Sequence, residues 1–199
     1  MNFKFVFCCR RAGDGTMVLN MGERCPWSAH ELVVIGVFAA AAKVSTLLVA
    51  LAGGGMNPVT LILKNLIFTT LLVVMLYKVR TPGTLLLFVG INLLFSMLLM
   101  GVSVTLLPPM LGAALLGEAA AWAVGGMRAR FGPLAAVAVY DLVYRCLSLG
   151  TSWLAMREAP AMVLAAAPIV ALGYMGALGG LLTGFKAVKE LRHAGIVRF

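Results

Sequence analysis

Three basic residues stand inside apolar stretches, where a charge has the least reason to be. Lys43 lies in Leu32–Ala52, LVVIGVFAAAAKVSTLLVALA, Lys64 in the run after Pro58, and Arg145 in the run after Pro133. In hydrocarbon each costs about 2.5–3.5 kcal/mol on insertion scales, so it needs a partner, a water-filled cavity or a ligand. Together the three suit an anionic guest, a carboxylate or a phosphate held by charge-assisted hydrogen bonds. Asp141, Tyr144, Arg145, Ser148 and Ser152 recur at spacings of three and four, which puts them on one stripe of a helix. Tyr174 adds a ring on which such a guest can stack, and Asn57, in the turn Gly53–Pro58, overhangs the mouth of the same hollow. The bland alternatives are concrete. Asp141 and Arg145 are an i, i+4 acid–base pair able to satisfy each other. Lys64 is near enough to a span end to snorkel. Glu118, the other acid within an apolar block, is assigned to structure or coupling, and Trp153 to an interface anchor.

The elements that must carry these residues are apolar blocks. The 199 residues are 62% hydrophobic and 12% charged, about half the charge of a soluble domain. The chain is therefore expected to be all-α and integral to the membrane, with six transmembrane helices and little else. Six blocks are legible: 32–52, 59–77, 84–101, 105–124, 133–153 and 162–185. At about 1.5 Å per residue, twenty residues cross the roughly 30 Å apolar layer. The domain reading is a leader over 1–29, expected to be disordered, a six-helix substrate-binding domain over 30–186 and a basic tail over 187–199. Met17 and Met21 are alternative starts to Met1.

The formal charge of +9 follows the ends of the blocks, without the basic stripe and interleaved aromatics of a nucleic-acid surface. With an inside N-terminus, twelve of the sixteen basic residues fall on the cytoplasmic side and Arg157 alone falls outside. The positive-inside rule thus expects both termini in the cytoplasm. Cys8, Cys9, Cys25 and Cys146 have neither zinc nor disulfide-framework spacing. The sequence has no GxxxxGK[ST], HExxH or GxSxG, and its two histidines lie at block edges. An enzyme is not expected, and neither a metal nor a cofactor of the chain's own.

Small residues at spacings of four recur in the fourth block (Gly117, Ala121, Gly125) and the sixth (Gly176, Gly180, Gly184). Such rows allow close backbone contact in lipid; here they are expected to pack the bundle itself. In the first block Gly36, Ala40, Ala41 and Ser45 offer the better case for an external partner.

The ending Gly179-Gly180-Leu181-Leu182-Thr183-Gly184-Phe185-Lys186, with Lys189 and Arg192-His193-Ala194-Gly195-Ile196-Val197, resembles that of the Trep_Strep (MptD-like) family. The start of the first block, Leu32 to Ala39, the turn Lys78-Val79-Arg80 with Gly83, and Gly112 to Glu118 are similar too, so the resemblance runs from about Ser28 to Val197. It implies a substrate-binding S component of an energy-coupling factor (ECF) importer in the bacterial cell membrane. Such a protein captures a vitamin-like small molecule from outside and docks on an EcfT-like coupling subunit through small residues of its first helix. Two cytoplasmic ATPases use the ATP. The first block has only Gly/Ala/Ser/Thr variants of the alanine spacing typical of that helix. The alternative is a stand-alone small transporter or a membrane scaffold.

Overall fold

The computed structural model describes residues 28–53, 57–100, 107–127, 129, 131–155 and 160–193. These form six α-helices: α1 (Ala29–Ala52), α2 (Pro58–Lys78), α3 (Thr84–Met100), α4 (Leu107–Ala123), α5 (Gly132–Ala155) and α6 (Pro160–His193). Among the described residues α1, α2, α5 and the Pro168–His193 part of α6 are long and apolar enough to cross a membrane. Helices α3 and α4 have 17 residues each, at the short end of what spans a bilayer. The expected leader over 1–29 and the end of the tail lie almost wholly outside the described residues.

Local chemistry sets the helix ends. Ser28 and Glu31 form a reciprocal capping box at the start of α1: the Ser28 amide donates to Glu31 Oε2 at 2.7 Å and the Glu31 amide to Ser28 Oγ. The helix therefore begins three residues before the apolar run. Pro58 occupies the first turn of α2, where a missing N–H costs nothing. Pro108 and Pro109 sit likewise in the first turn of α4. That helix stops in a Schellman turn: the Gly126 amide donates to Ala121 O and the Gly125 amide to Trp122 O, with Gly125 at φ +111°.

The last helix departs from expectation. It does not end near Phe185 with a separate tail after Lys186, but continues unbroken to His193, 34 residues in all. Val188 is buried, so the basic segment still has one side on the bundle.

Helix α2 lies along α6, and α4 along α5; α1 packs on α2 and α3, α3 on α4, and α5 on α6 and α2. This closes a ring in the order α1, α2, α6, α5, α4, α3. The glycine rows make its two tightest seams. A Cβ on Gly176 would stand 2.6 Å from the Ile62 carbonyl oxygen, and one on Gly180 2.8 Å from that of Leu66. On α4 a Cβ at Gly117 would stand 2.8 Å from Ala136 O. These rows serve packing within the bundle, as expected.

The core is lopsided. Its large buried side chains include Leu72, Val73, Met75, Leu76 and Tyr77 of α2, Leu85, Phe88 and Val89 of α3, and Val137 and Tyr140 of α5. All lie toward the end that carries the Lys78–Arg80 turn, called here the basic end. In the other half, α1 has no buried residue after Ala42, α5 none from Leu142 to Leu154, and α2 only Thr60 before Thr69. The outer surface is apolar, with Val33, Val37, Val44, Leu48 and Leu51 of α1 more than half exposed, as a lipid-facing helix requires.

Candidate functional site

The less tightly packed half holds the cationic residues. Arg145, just past the middle of α5, reaches across to α6: Nη1 donates to Val170 O at 3.2 Å and Nη2 to Gly173 O at 2.9 Å. Gly173 makes room, since a Cβ there would lie 2.6 Å from Nη1 and 3.0 Å from the Asn65 side-chain nitrogen of α2. The guanidinium also lies over the Tyr174 ring, 5.9 Å from its centroid. Its Nε is buried with no hydrogen-bond partner among the described residues. Arg145, Asn65 and Tyr174 thus converge at one level of the α2–α5–α6 junction.

One turn away, Asp141 does not pair with Arg145. It is buried, and its Oδ2 accepts from Thr69 Oγ1 of α2 at 3.0 Å. The i, i+4 spacing permits the ion pair, but each partner finds a better-placed group on a neighbouring helix. Tyr144 stacks on Tyr140, ring centroids 6.2 Å apart, and is partly buried. Ser148 is partly buried, and its carbonyl accepts from Thr151.

Lys43 belongs to the other side of the ring. Its Nζ donates to Ser96 Oγ on α3, and Ser96 Oγ donates in turn to Asn92 O at 2.8 Å. The Asn92 side chain is buried, its Oδ1 lacking a hydrogen-bond partner among the described residues. Lys64 is exposed on α2, and its charge acts on that of Lys43. Asn57 caps the α1–α2 connection, donating from Nδ2 to Gly53 O at 2.7 Å; the rest of that turn, 54–56, lies outside the described residues. Asn65, Asn92, Ser96 and Thr69 are the polar residues that charge-led reading passed over. The four-residue spacing of Asn92 and Ser96 inside an apolar helix was the available signal.

Glu118 has a structural task. Its carboxylate accepts from the Leu86 amide at 3.1 Å and faces the amides of Gly83 and Leu85. It caps the opening turn of α3, whose amides have no partner within the helix. Of the proposed docking residues on α1, Ala41 is exposed and Gly36, Ala40 and Ser45 are partly so; a Cβ on Gly36 would meet nothing within 4 Å. A recess among the described residues lies at the basic end, lined by Arg80 and away from Lys43, Lys64 and Arg145.

The architecture and the lipid-compatible surface define a multi-pass helical membrane protein. Residues 29–168 match the model of the family described as "Hypothetical bacterial integral membrane protein (Trep_Strep)", and the chain belongs to that family. The matched stretch stops before the glycine-rich ending 179–197, so membership rests on the first five helices and the start of α6. No curated protein and no solved structure matches the chain.

Proposed function

We propose that this protein is the substrate-binding subunit of an ECF-type importer, holding a small anionic molecule in the half of the bundle away from the basic end. One observation carries the reading: the large buried side chains gather at one end, while Lys43, Lys64, Asn65 and Arg145 occupy the other. Ionisable residues at this depth are costly, and in membrane proteins they commonly mark a substrate or ion path. Arg145 Nε, a buried donor with no hydrogen-bond partner among the described residues, is left for an anionic guest. Lys43, Lys64 and Arg145 supply charge, Tyr174 and Tyr144 a ring edge, and Asp141, Ser148 and Asn57 polar contacts at the margin.

In this reading all six helices span the bacterial cell membrane, both termini are cytoplasmic, and the cation-rich half faces outward. The chain carries no cofactor and catalyses nothing. An EcfT-like coupling subunit docks on α1 around Gly36, Ala40, Ala41 and Ser45, and two cytoplasmic ATPases drive release. Native mass spectrometry of the full chain purified from its host is expected to show a small anion bound. That anion should be lost in Lys43→Ala/Arg145→Ala. Equal retention by the double variant removes the site, and uptake that persists in cells without such ATPases removes the coupling.

A further inference from the structure

The last helix changes character along a single face. Leu178, Leu182, Lys186, Lys189 and His193 follow one another at spacings of three and four, so they form one stripe, and all are exposed. The opposite stripe, Gly180, Gly184 and Val188, is buried against the bundle. A face that meets lipid with leucines thus turns cationic without any break in the helix. This stretch has no part in substrate capture as proposed above. We infer that Lys186 and Lys189 together bind the phosphate headgroup of an anionic lipid in the leaflet at the basic end.

Depth carries the argument. Helices α2 and α6 run parallel, because Cβ atoms on Gly176, Gly180 and Gly184 would meet Ile62, Leu66 and Val73 in that order. Continued, this register brings Lys186 and Lys189 level with the last turns of α2, Val73 to Lys78. There the apolar run of α2 stops, at Tyr77. The two lysines therefore leave α6 at the margin of the hydrocarbon and not far out in water. Length agrees: the 26 residues from Pro168 to His193 extend about 39 Å, more than the roughly 30 Å apolar layer. A lysine at such a margin lays its stem along lipid and lifts its ammonium to the phosphate level. The pair is also set before a lipid arrives, since α6 is continuous through both positions and buried Val188 holds this segment on the bundle. Neither ammonium is engaged in a hydrogen bond or ion pair among the described residues. Glu190 is the one acid between Gly184 and His193, so positive charge prevails. Basic side chains at this level attract anionic lipid additively.

The test uses the full chain in detergent, titrated with phosphatidylglycerol or phosphatidylcholine and followed by native mass spectrometry. Wild type is expected to prefer phosphatidylglycerol by at least about fivefold, the attraction of a single lysine for an anionic headgroup. Lys186→Gln/Lys189→Gln should bring that preference close to unity, whereas Lys186→Arg/Lys189→Arg should keep it. Glu190→Gln, which removes the acid beside the pair, should tighten phosphatidylglycerol binding about two- to fivefold. All three positions are exposed, and the Glu190→Gln arm reads a gain, which loss of fold cannot imitate. The same preference in wild type and Lys186→Gln/Lys189→Gln overturns the inference, as does a wild type that holds phosphatidylcholine equally well. Displacement of the lipid by millimolar inorganic phosphate overturns the assignment to a headgroup.

Discussion

At the scale of single residues, two charged side chains do work that their type alone does not announce. Arg145 bridges two α6 carbonyls with the two ends of its fork. A lysine at that position has one charged nitrogen and cannot span both. Arg145→Ala is therefore expected to lower stability by about 1.5–3 kcal/mol, with Arg145→Lys recovering only part of it. Unfolding of the detergent-solubilised protein measures this, and an unchanged Arg145→Ala midpoint would show that the bridge contributes nothing. Glu118 accepts from the first turn of α3. Its loss to alanine should cost about 0.5–2 kcal/mol, the worth of a helix cap, and Glu118→Gln, which keeps one acceptor oxygen, should cost less. If the two variants unfold alike, the carboxylate is not acting as a cap.

Among the helices, contact depth separates glycines that the sequence presents as equivalent. Gly180 faces the α2 backbone at a separation that a side chain cannot enter, whereas the space around Gly36 is open. Gly180→Val is expected to destabilise the α2–α6 seam by about 1–3 kcal/mol, the usual cost of overpacking. Gly36→Leu should change stability by no more than about 0.5 kcal/mol, as for an exposed substitution. Under the proposed function Gly36→Leu should nevertheless reduce co-purification with the coupling subunit. Loss of fold in Gly36→Leu would place that glycine in the bundle instead of at a docking face. The long α6 makes a related point: an apolar window ends it where hydropathy falls, whereas the described helix runs on through the basic segment as far as His193.

For the whole molecule, the packing asymmetry and the charge asymmetry point the same way. The well-packed half adjoins the basic loops, and the less tightly packed half carries the isolated cations. Under the proposed function the dense end faces the cytoplasm, as the positive-inside rule expects. Reporters fused after Phe199 and in the turn at Ala129 should both read as cytoplasmic, and one in the Gly53–Asn57 turn as external. An external reading after Phe199 would invert the bundle and turn its cation-rich half inward.

The chain read alone was enough to show a helical protein of the membrane with charges set inside its apolar blocks, and to place five of the six helices to within about three residues; α6 runs eight residues past its block. Long apolar runs and terminal glycines, prolines and basic residues are local signals, and a bilayer leaves the backbone few options other than helix. Which groups those charges meet is set by how the helices pack. Asp141 turned to Thr69 and Arg145 to the α6 carbonyls, although their spacing suits an ion pair. Lys43 found Ser96, 53 residues away. Such choices depend on which helix lies alongside, and the pattern along one chain segment does not contain that.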